Sequence, residues 1–232
     1  MNIEQYINEP LEIQGELLKY FDKEKEITIF DIGACEAEDS IKYSNIFPNS
    51  KIYSFEPFVD NYKKGLSNIE KYNKKNVNLF NEALSDKIGE SIFYLSSGHP
   101  KYVNNSEEWN YGNKSSSLIE PNPHEWLMFK NSVAVKTNTI FNFCQEHSIN
   151  SINFAHMDVQ GAELMVLNGA LSMIENMDII WLEVSLVEFY KSQPLKNTVY
   201  KFLQDNNFTI VKDTCISVAG DLLCINNKII KK

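Results

Sequence analysis

At 232 residues, with 43% hydrophobic content and a formal net charge of −9, the chain has room for one α/β domain with a sizeable core and is too apolar to be disordered. All 22 basic residues are lysines, and an acidic chain without arginine is poorly suited to tracking nucleic-acid phosphates. No apolar run approaches membrane-spanning length, Met1 to Gln14 is polar and acidic rather than a secretion signal, and Cys35, Cys144, Cys215 and Cys224 are scattered without a C-x-x-C pair, a pattern that fits reduced thiols in the cytoplasm.

Residues 3–24 place Ile3, Ile7, Leu11, Leu17, Leu18 and Phe21 at helix-like spacing and predict an amphipathic lead-in helix. A strand over Ile27–Ile32 precedes a helix through Ser40–Phe47, which Pro48 stops. A second strand (Lys51–Glu56) is followed by a helix from Val59 to Tyr72, a third strand over Asn76–Leu84 and an extra one over Gly89–Leu95. From Ser96 to Glu125 the chain turns polar and aromatic with Gly, Pro and Asn throughout, a loop length that compact domains keep for function or leave mobile. Then come a short strand at Val133–Val135, a helix at Thr139–Glu146, a strand at Ile152–Val159, a helix at Glu163–Ile174 and a strand at Ile179–Val184. A helix over Leu195–Asp205 and two strands, Phe208–Lys212 and Asp221–Ile225, close the chain; without repeats or a linker, residues 1–232 read as one domain.

Four of the apolar runs end in an acid: Thr28-Ile-Phe-Asp31, Ile52-Tyr-Ser-Phe-Glu56, Phe154-Ala-His-Met-Asp158 and Ile179-Ile-Trp-Leu-Glu183. Short Ile- and aromatic-rich runs alternating with helices predict a parallel sheet, and ligands of such sheets sit outside the carboxyl ends of the strands. A core has no use for four charges at that edge, so a polar or cationic ligand is expected there.

Phe30-Asp31-Ile32-Gly33-Ala34 is a strand end with a glycine turn opening a helix, which suits a nucleoside-type cofactor. A phosphate-gripping G-x-G-x-x-G is absent, because Cys35, Glu36 and Ala37 follow, with Glu38 and Asp39 behind them. Acids at that helix start repel a pyrophosphate, so a cationic or zwitterionic cofactor fits better, namely S-adenosylmethionine. Glu56, one strand over, is placed to accept both ribose hydroxyls.

Here the chain resembles the FkbM-type methyltransferases, within the class I S-adenosylmethionine-dependent enzymes. The resemblance lies in Phe-Asp-Ile-Gly-Ala (30–34), Phe-Glu-Pro (55–57), Glu-Ala-Leu-Ser-Asp (82–86) before Gly89-Glu90, and Ser-Ser-Leu (116–118). It continues in Met-Asp-Val-Gln-Gly-Ala-Glu-Leu (157–164) with Leu-Asn-Gly-Ala (167–170), and in Glu-Val-Ser (183–185) with Tyr-Lys-x-Gln-Pro (190–194). Cys35 and Ala37 depart from the small residue and glycine usual after Gly-Ala, and Gln160 stands where many members have Glu. The resemblance implies a seven-stranded Rossmann-like sheet with helices on both faces, and methylation of a hydroxyl, often on sugars or secondary metabolites. The expected cofactor site is Asp31, Gly33, Ala34, Glu36, Glu56, Pro57, Ala83 and Asp158, and the implied fold has Asp31 and Asp158 facing one pocket.

A sugar hydroxyl is a poor nucleophile while protonated, so Asp158 is the first candidate for base or substrate-orienting group, with Glu183 sharing the work. Glu163 reads as a dipole partner of its helix. No metal-ligand spacing is visible, and no metal is expected. Among the histidines, His147 ends a helix and His156, mid-strand and opposite in parity to Met157, reads as an ordinary packed side chain. His99, Trp109, Tyr111 and His124 in the long loop suit a sugar, whose apolar face stacks on rings, and the resemblance adds Ser116 and Ser117 near the substrate. The expected partner is a small-molecule or glycan acceptor, with neither nucleic acid nor a membrane span; a homo-oligomer stays open. Two rivals are weighed: an NAD-dependent oxidoreductase or epimerase, and a degenerate S-adenosylmethionine-binding partner subunit motivated by Cys35 and Ala37.

Overall fold

The computed structural model describes residues 2–98, 112–123 and 127–230. Seven strands form the main sheet: β1 (Thr28–Ile32), β2 (Lys51–Phe55), β3 (Val77–Phe80), β7 (Ile152–Met157), β8 (Met177–Ser185), β9 (Phe208–Asp213) and β10 (Ala219–Asn226). Their order is β3-β2-β1-β7-β8-β10-β9, parallel except for β10, which runs antiparallel to both neighbours. The chain therefore reverses direction across the sheet between β1 and β7, the switch point at which α/β sheets bind ligands.

Pleating sorts the sheet's two faces. Phe30, Ile32, Ala155 and Met157 pack with Phe143, Val166 and Leu203 from α5 (Ile140–Glu146), α6 (Glu163–Asn168) and α7 (Lys196–Asp205). Ile29 and Phe154 point the other way, onto Leu17 of α2 (Gln14–Tyr20) and onto Tyr43 of α3 (Glu38–Ile46) with its capping residue Phe47. Period-two alternation thus gives each face its own core.

Several boundaries differ from the sequence expectation for visible reasons. The lead-in helix is two pieces, α1 (Ile3–Asn8) and α2, because Pro10 forces Glu9 into an extended conformation. The expected third strand breaks after Phe80, where the Asn81 amide donates to the carbonyls of Glu56 and Pro57 and turns the chain away. Its remainder, β4 (Ala83–Leu84), joins β5 (Gly89–Ser97) and β6 (Met128–Asn138) in a small sheet ordered β4-β6-β5. β6 is far longer than the expected Val133–Val135, since it pairs along β5 from Thr137 to Met128. The expected helix over Glu163–Ile174 ends at Asn168, and a 3-10 turn follows over Leu171–Asn176. Thr139 caps α5 through its hydroxyl, and α4 (Val59–Lys71) packs against β3 and α3. Among the described residues no helix is long and apolar enough to cross a membrane.

Candidate active site

The site is built from the β1–α3 turn. Gly33 and Ala34 both donate their N–H groups to the carbonyl of Phe55 at the end of β2 (3.0 and 2.9 Å). Gly33 has φ +91°, and a Cβ there would lie 1.9 Å from the carbonyl oxygen of Asp158. Cys35 (φ +47°) and Ala37 (φ +62°), where the chain departs from the family pattern, also adopt left-handed backbone. Each stores on the order of 1–2 kcal/mol that a glycine would not. The turn accordingly keeps its shape without the glycine usual at position 37.

Glu56 is buried beside this turn. Its Oε2 accepts the Cys35 N–H at 3.0 Å and its Oε1 the Phe58 N–H at 2.7 Å. A carboxylate has about four acceptor sites, so two remain for a ligand. Burial pushes the carboxyl up to about 8, against the pull of the two N–H groups. Gly33, Cys35, Glu56, Pro57, Ala83 and Asp158 line one cleft. Leu84, Phe93 and Leu118 supply apolar wall, and Asn113, Lys114 and Ser116 face it from the far side.

At the end of β7 the chain turns through Gln160 (φ +54°) and Gly161 (φ +93°). Glu163 accepts the N–H groups of Val159 and Gly161 (both 3.2 Å) and so holds this turn, which matches its expected structural role. The Gln160 amide nitrogen donates to Asp158 Oδ1 (2.6 Å) and to Glu183 Oε2 (3.0 Å), while its oxygen accepts the Tyr190 hydroxyl (3.1 Å). Burial, with Asp158, Glu163 and cross-strand Asp221 nearby, holds the Glu183 carboxyl well above the usual range. A roof segment is stitched over this corner: Ser117 Oγ donates to the Gln160 carbonyl (2.8 Å) and Tyr190 also donates to the Ser115 carbonyl (2.7 Å).

The expected residues divide. Gly33, Glu56, Pro57, Ala83, Asp158 and Ser116 line the cleft. Asp31 does not face Asp158 across it. It shares the pleat parity of Ile29, not Ile32, and is buried under α3, bonded to Ser40 and to His156 Nδ1 (2.9 Å). His156 is correspondingly not an ordinary packed ring: despite burial, Asp31 and then Asp39 and Asp158 push it up to about 9. Ala34 is absent from the cleft lining, as is Glu36, which pairs with Lys64 (2.8 Å). Ser117 is fully buried in the roof rather than in the cleft. Glu183 lies outside this cleft, joined to it through Gln160. His99, Trp109, Tyr111 and His124 lie outside the described residues.

The acids at the α3 start are internally partnered. Glu38 accepts the Glu36 N–H (2.8 Å) and the Lys114 ammonium (2.5 Å), and Asp39 accepts the Tyr6 hydroxyl (2.9 Å). Burial pushes Glu38 up to about 7 in spite of Lys114. Lys114, Gln160 and Tyr190 had no site role in the sequence reading; the Tyr-Lys-x-Gln-Pro motif was the one available signal for Tyr190.

A family model for the FkbM methyltransferase domain matches residues 31–210, which carry the glycine turn, Glu56, Asp158 and Glu183. The chain belongs to this family. It is a methyltransferase, which sets aside the oxidoreductase alternative. This FkbM-domain chain is 26% identical to the 2-O-methyltransferase NoeI of Sinorhizobium fredii over 223 residues, covering 94% of this chain and 87% of that one. Among solved structures, its fold is similar to methyltransferase FkbM from Methylobacillus flagellatus (TM-score 0.52, 12% identity, 88% of this chain and 44% of that chain). It is also similar to an rRNA methylase from Streptococcus thermophilus (TM-score 0.51, 11% identity, 92% of both chains). These likenesses support the class I methyltransferase fold.

Proposed function

We propose that this methyltransferase uses S-adenosylmethionine to methylate a hydroxyl of a sugar, glycan or related polyhydroxylated metabolite. The observation that carries the reading is buried Glu56, with carboxylate acceptor sites left over, beside the Gly33 turn and Asp158 in one cleft. The name of the 26% identical relative, a 2-O-methyltransferase, supports oxygen as the acceptor atom.

S-adenosylmethionine supplies a methyl group on a sulfonium, whose C–S bond breaks as the new C–O bond forms. Glu56 would accept the ribose hydroxyls, and Leu84, Phe93 and Leu118 would pack an adenine ring. On this reading Asp158 and Glu183, joined by one amide, are the candidates to take the proton of the attacking hydroxyl. Either carboxylate can take it, and Gln160 fixes both in place. Positioning of this kind supplies much of the rate in a displacement.

Four unpaired cysteines suit the reducing cytoplasm as the working compartment. The test is thermal unfolding with S-adenosylmethionine, S-adenosylhomocysteine, NAD and NADP, followed by mass spectrometry of acceptors incubated with labelled S-adenosylmethionine. Only the two adenosyl sulfur compounds should raise Tm, since a ligand bound by the native state alone stabilises it. Cofactor binding without turnover on any hydroxyl acceptor would favour a degenerate partner subunit.

A further inference from the structure

A second cavity adjoins the first and shares Gln160 with it. It lies against the ends of β8 and β10, with the roof segment and the chain around Tyr190 as its other walls. Phe129 and Tyr190 meet in it edge to face with ring centroids 6.2 Å apart, and Phe189 and Asn122 also line it. Glu183 lines it too, half-buried, with its Oε2 held by Gln160.

Charge distinguishes the two cavities. Lys114 lines the cofactor cleft, but no described residue lining the second cavity is basic. Lys191 and Lys196, on the neighbouring segments, are held by Glu120 and Asp213. Glu183 faces Asp221 across the strand pair, so this corner carries acidic groups. A phosphate or carboxylate placed there meets acidic groups and, among the described residues lining the cavity, no cation to offset its desolvation. Rings that offer apolar faces beside a carboxylate and an amide suit a ring that is hydroxylated at its edges and apolar on its faces.

We propose that this second cavity is the acceptor site and that it takes a neutral or amino-bearing sugar ring, not a phosphorylated or carboxylated one. The proposal rests on the hydroxyl-methylation reading above. The aromatic wall is formed by Phe129 and Tyr190, and the hydroxyl to be methylated lies toward Gln160, where Asp158 and Glu183 can take its proton.

Binding and transfer are measured separately. Methyl glucoside, glucosamine, glucose 6-phosphate and glucuronate serve as probes, by saturation-transfer NMR with S-adenosylhomocysteine present and by methyl transfer from labelled S-adenosylmethionine. The neutral and amino sugars should bind and be methylated, and the two anionic ones should show kcat/KM at least ~50-fold lower. Phe129→Ala should raise the acceptor KM about tenfold, the loss of one ring contact, and leave the S-adenosylmethionine KM within about twofold. Phe129→Leu reads the same loss if the alanine variant does not fold. Equal use of the anionic sugars, an unchanged acceptor KM in the Phe129 variants, or no probe bound at all overturns the proposal. Sugar binding that depends on Phe129 but never leads to transfer keeps the site and instead removes the hydroxyl-methylation reading.

Discussion

A Cβ on Gly33 would lie 1.9 Å from the carbonyl oxygen of Asp158, so the first turn of the cofactor cleft and the end of β7 are in backbone contact. The contact is fixed at both ends, since Asp158 donates its N–H to the carbonyl of Ile32 (3.0 Å). Gly33→Ala cannot be absorbed by a side-chain rotation, and φ +91° is itself unfavourable for alanine. We expect a loss of at least about 2 kcal/mol of stability, together with loss of cofactor binding. Denaturant unfolding checks the first and calorimetry the second; an unchanged midpoint would mean the strand ends can separate freely.

Glu56→Gln is expected to weaken S-adenosylmethionine binding by on the order of 1.5–3 kcal/mol, the range of charge-assisted hydrogen bonds. Glutamine is a milder probe than alanine here, because its one carbonyl oxygen still accepts the Cys35 or the Phe58 N–H, whereas alanine would leave both unpaired. Because burial raises the Glu56 carboxyl to about 8, affinity in the parent should climb as pH rises through that value. The variant should lack this climb. Equal affinities in calorimetry at pH 9 would make Glu56 a purely structural acid.

The sheet was legible because its strands are short apolar runs with acids at their ends, and local pattern is enough to find them. What was not legible depended on parity and on distant partners. Asp31 sits one residue before the end of β1, and that single step turns it under α3 instead of into the cleft. Gln160 was visible only as a substitution for Glu, although its amide orients both carboxylates; the side chains it joins are 2 and 23 residues away. Lys114 meets Glu38 across 76 residues, a pairing no local spacing encodes. Ala37 shows the reverse: a missing glycine suggested a degraded turn, yet the backbone adopts the left-handed conformation without it.

His156 gives a pH signature. Its folded-state pKa, about 9, lies above the ordinary 6.5, so its stabilising contribution is complete below 6.5 and is lost as pH rises through 9. The groups facing it are Asp31, Asp39, Asp158 and Asp221, with the Tyr43 ring at 5.8 Å. Glu38, Glu56 and Glu163, raised to about 7, 8 and 8 from 4.5, act in the same direction at lower pH. The ligand-free protein should therefore lose stability steadily between pH 5 and 9, by on the order of 2–3 kcal/mol from His156 alone. In His156→Gln the decline above pH 6.5 should become shallower, the remainder up to about pH 8 belonging to Glu38, Glu56 and Glu163. Chemical denaturation across that range makes the comparison, and identical slopes would remove His156 from the account.

The proton acceptor can be assigned by comparing Asp158→Asn with Glu183→Gln. Asparagine is isosteric and still offers an oxygen to the Gln160 amide, so the turn at 158–161 and the cofactor cleft should survive. We expect S-adenosylmethionine affinity within a few-fold of the parent and turnover lowered about 100-fold. Glu183 separates from Asp158 by pH. Burial and its three acidic neighbours hold its carboxyl well above the usual range, so if it is the base, activity climbs with pH through that raised value and the climb disappears in Glu183→Gln. If Asp158 is the base, Glu183→Gln keeps most of the rate and acts on acceptor KM instead, through the second cavity that Glu183 lines. Single-turnover methylation with both ligands saturating reads the chemical step without binding. An Asp158→Asn enzyme that transfers methyl at the parent rate excludes Asp158 as base and leaves Glu183, one amide away, to take the proton.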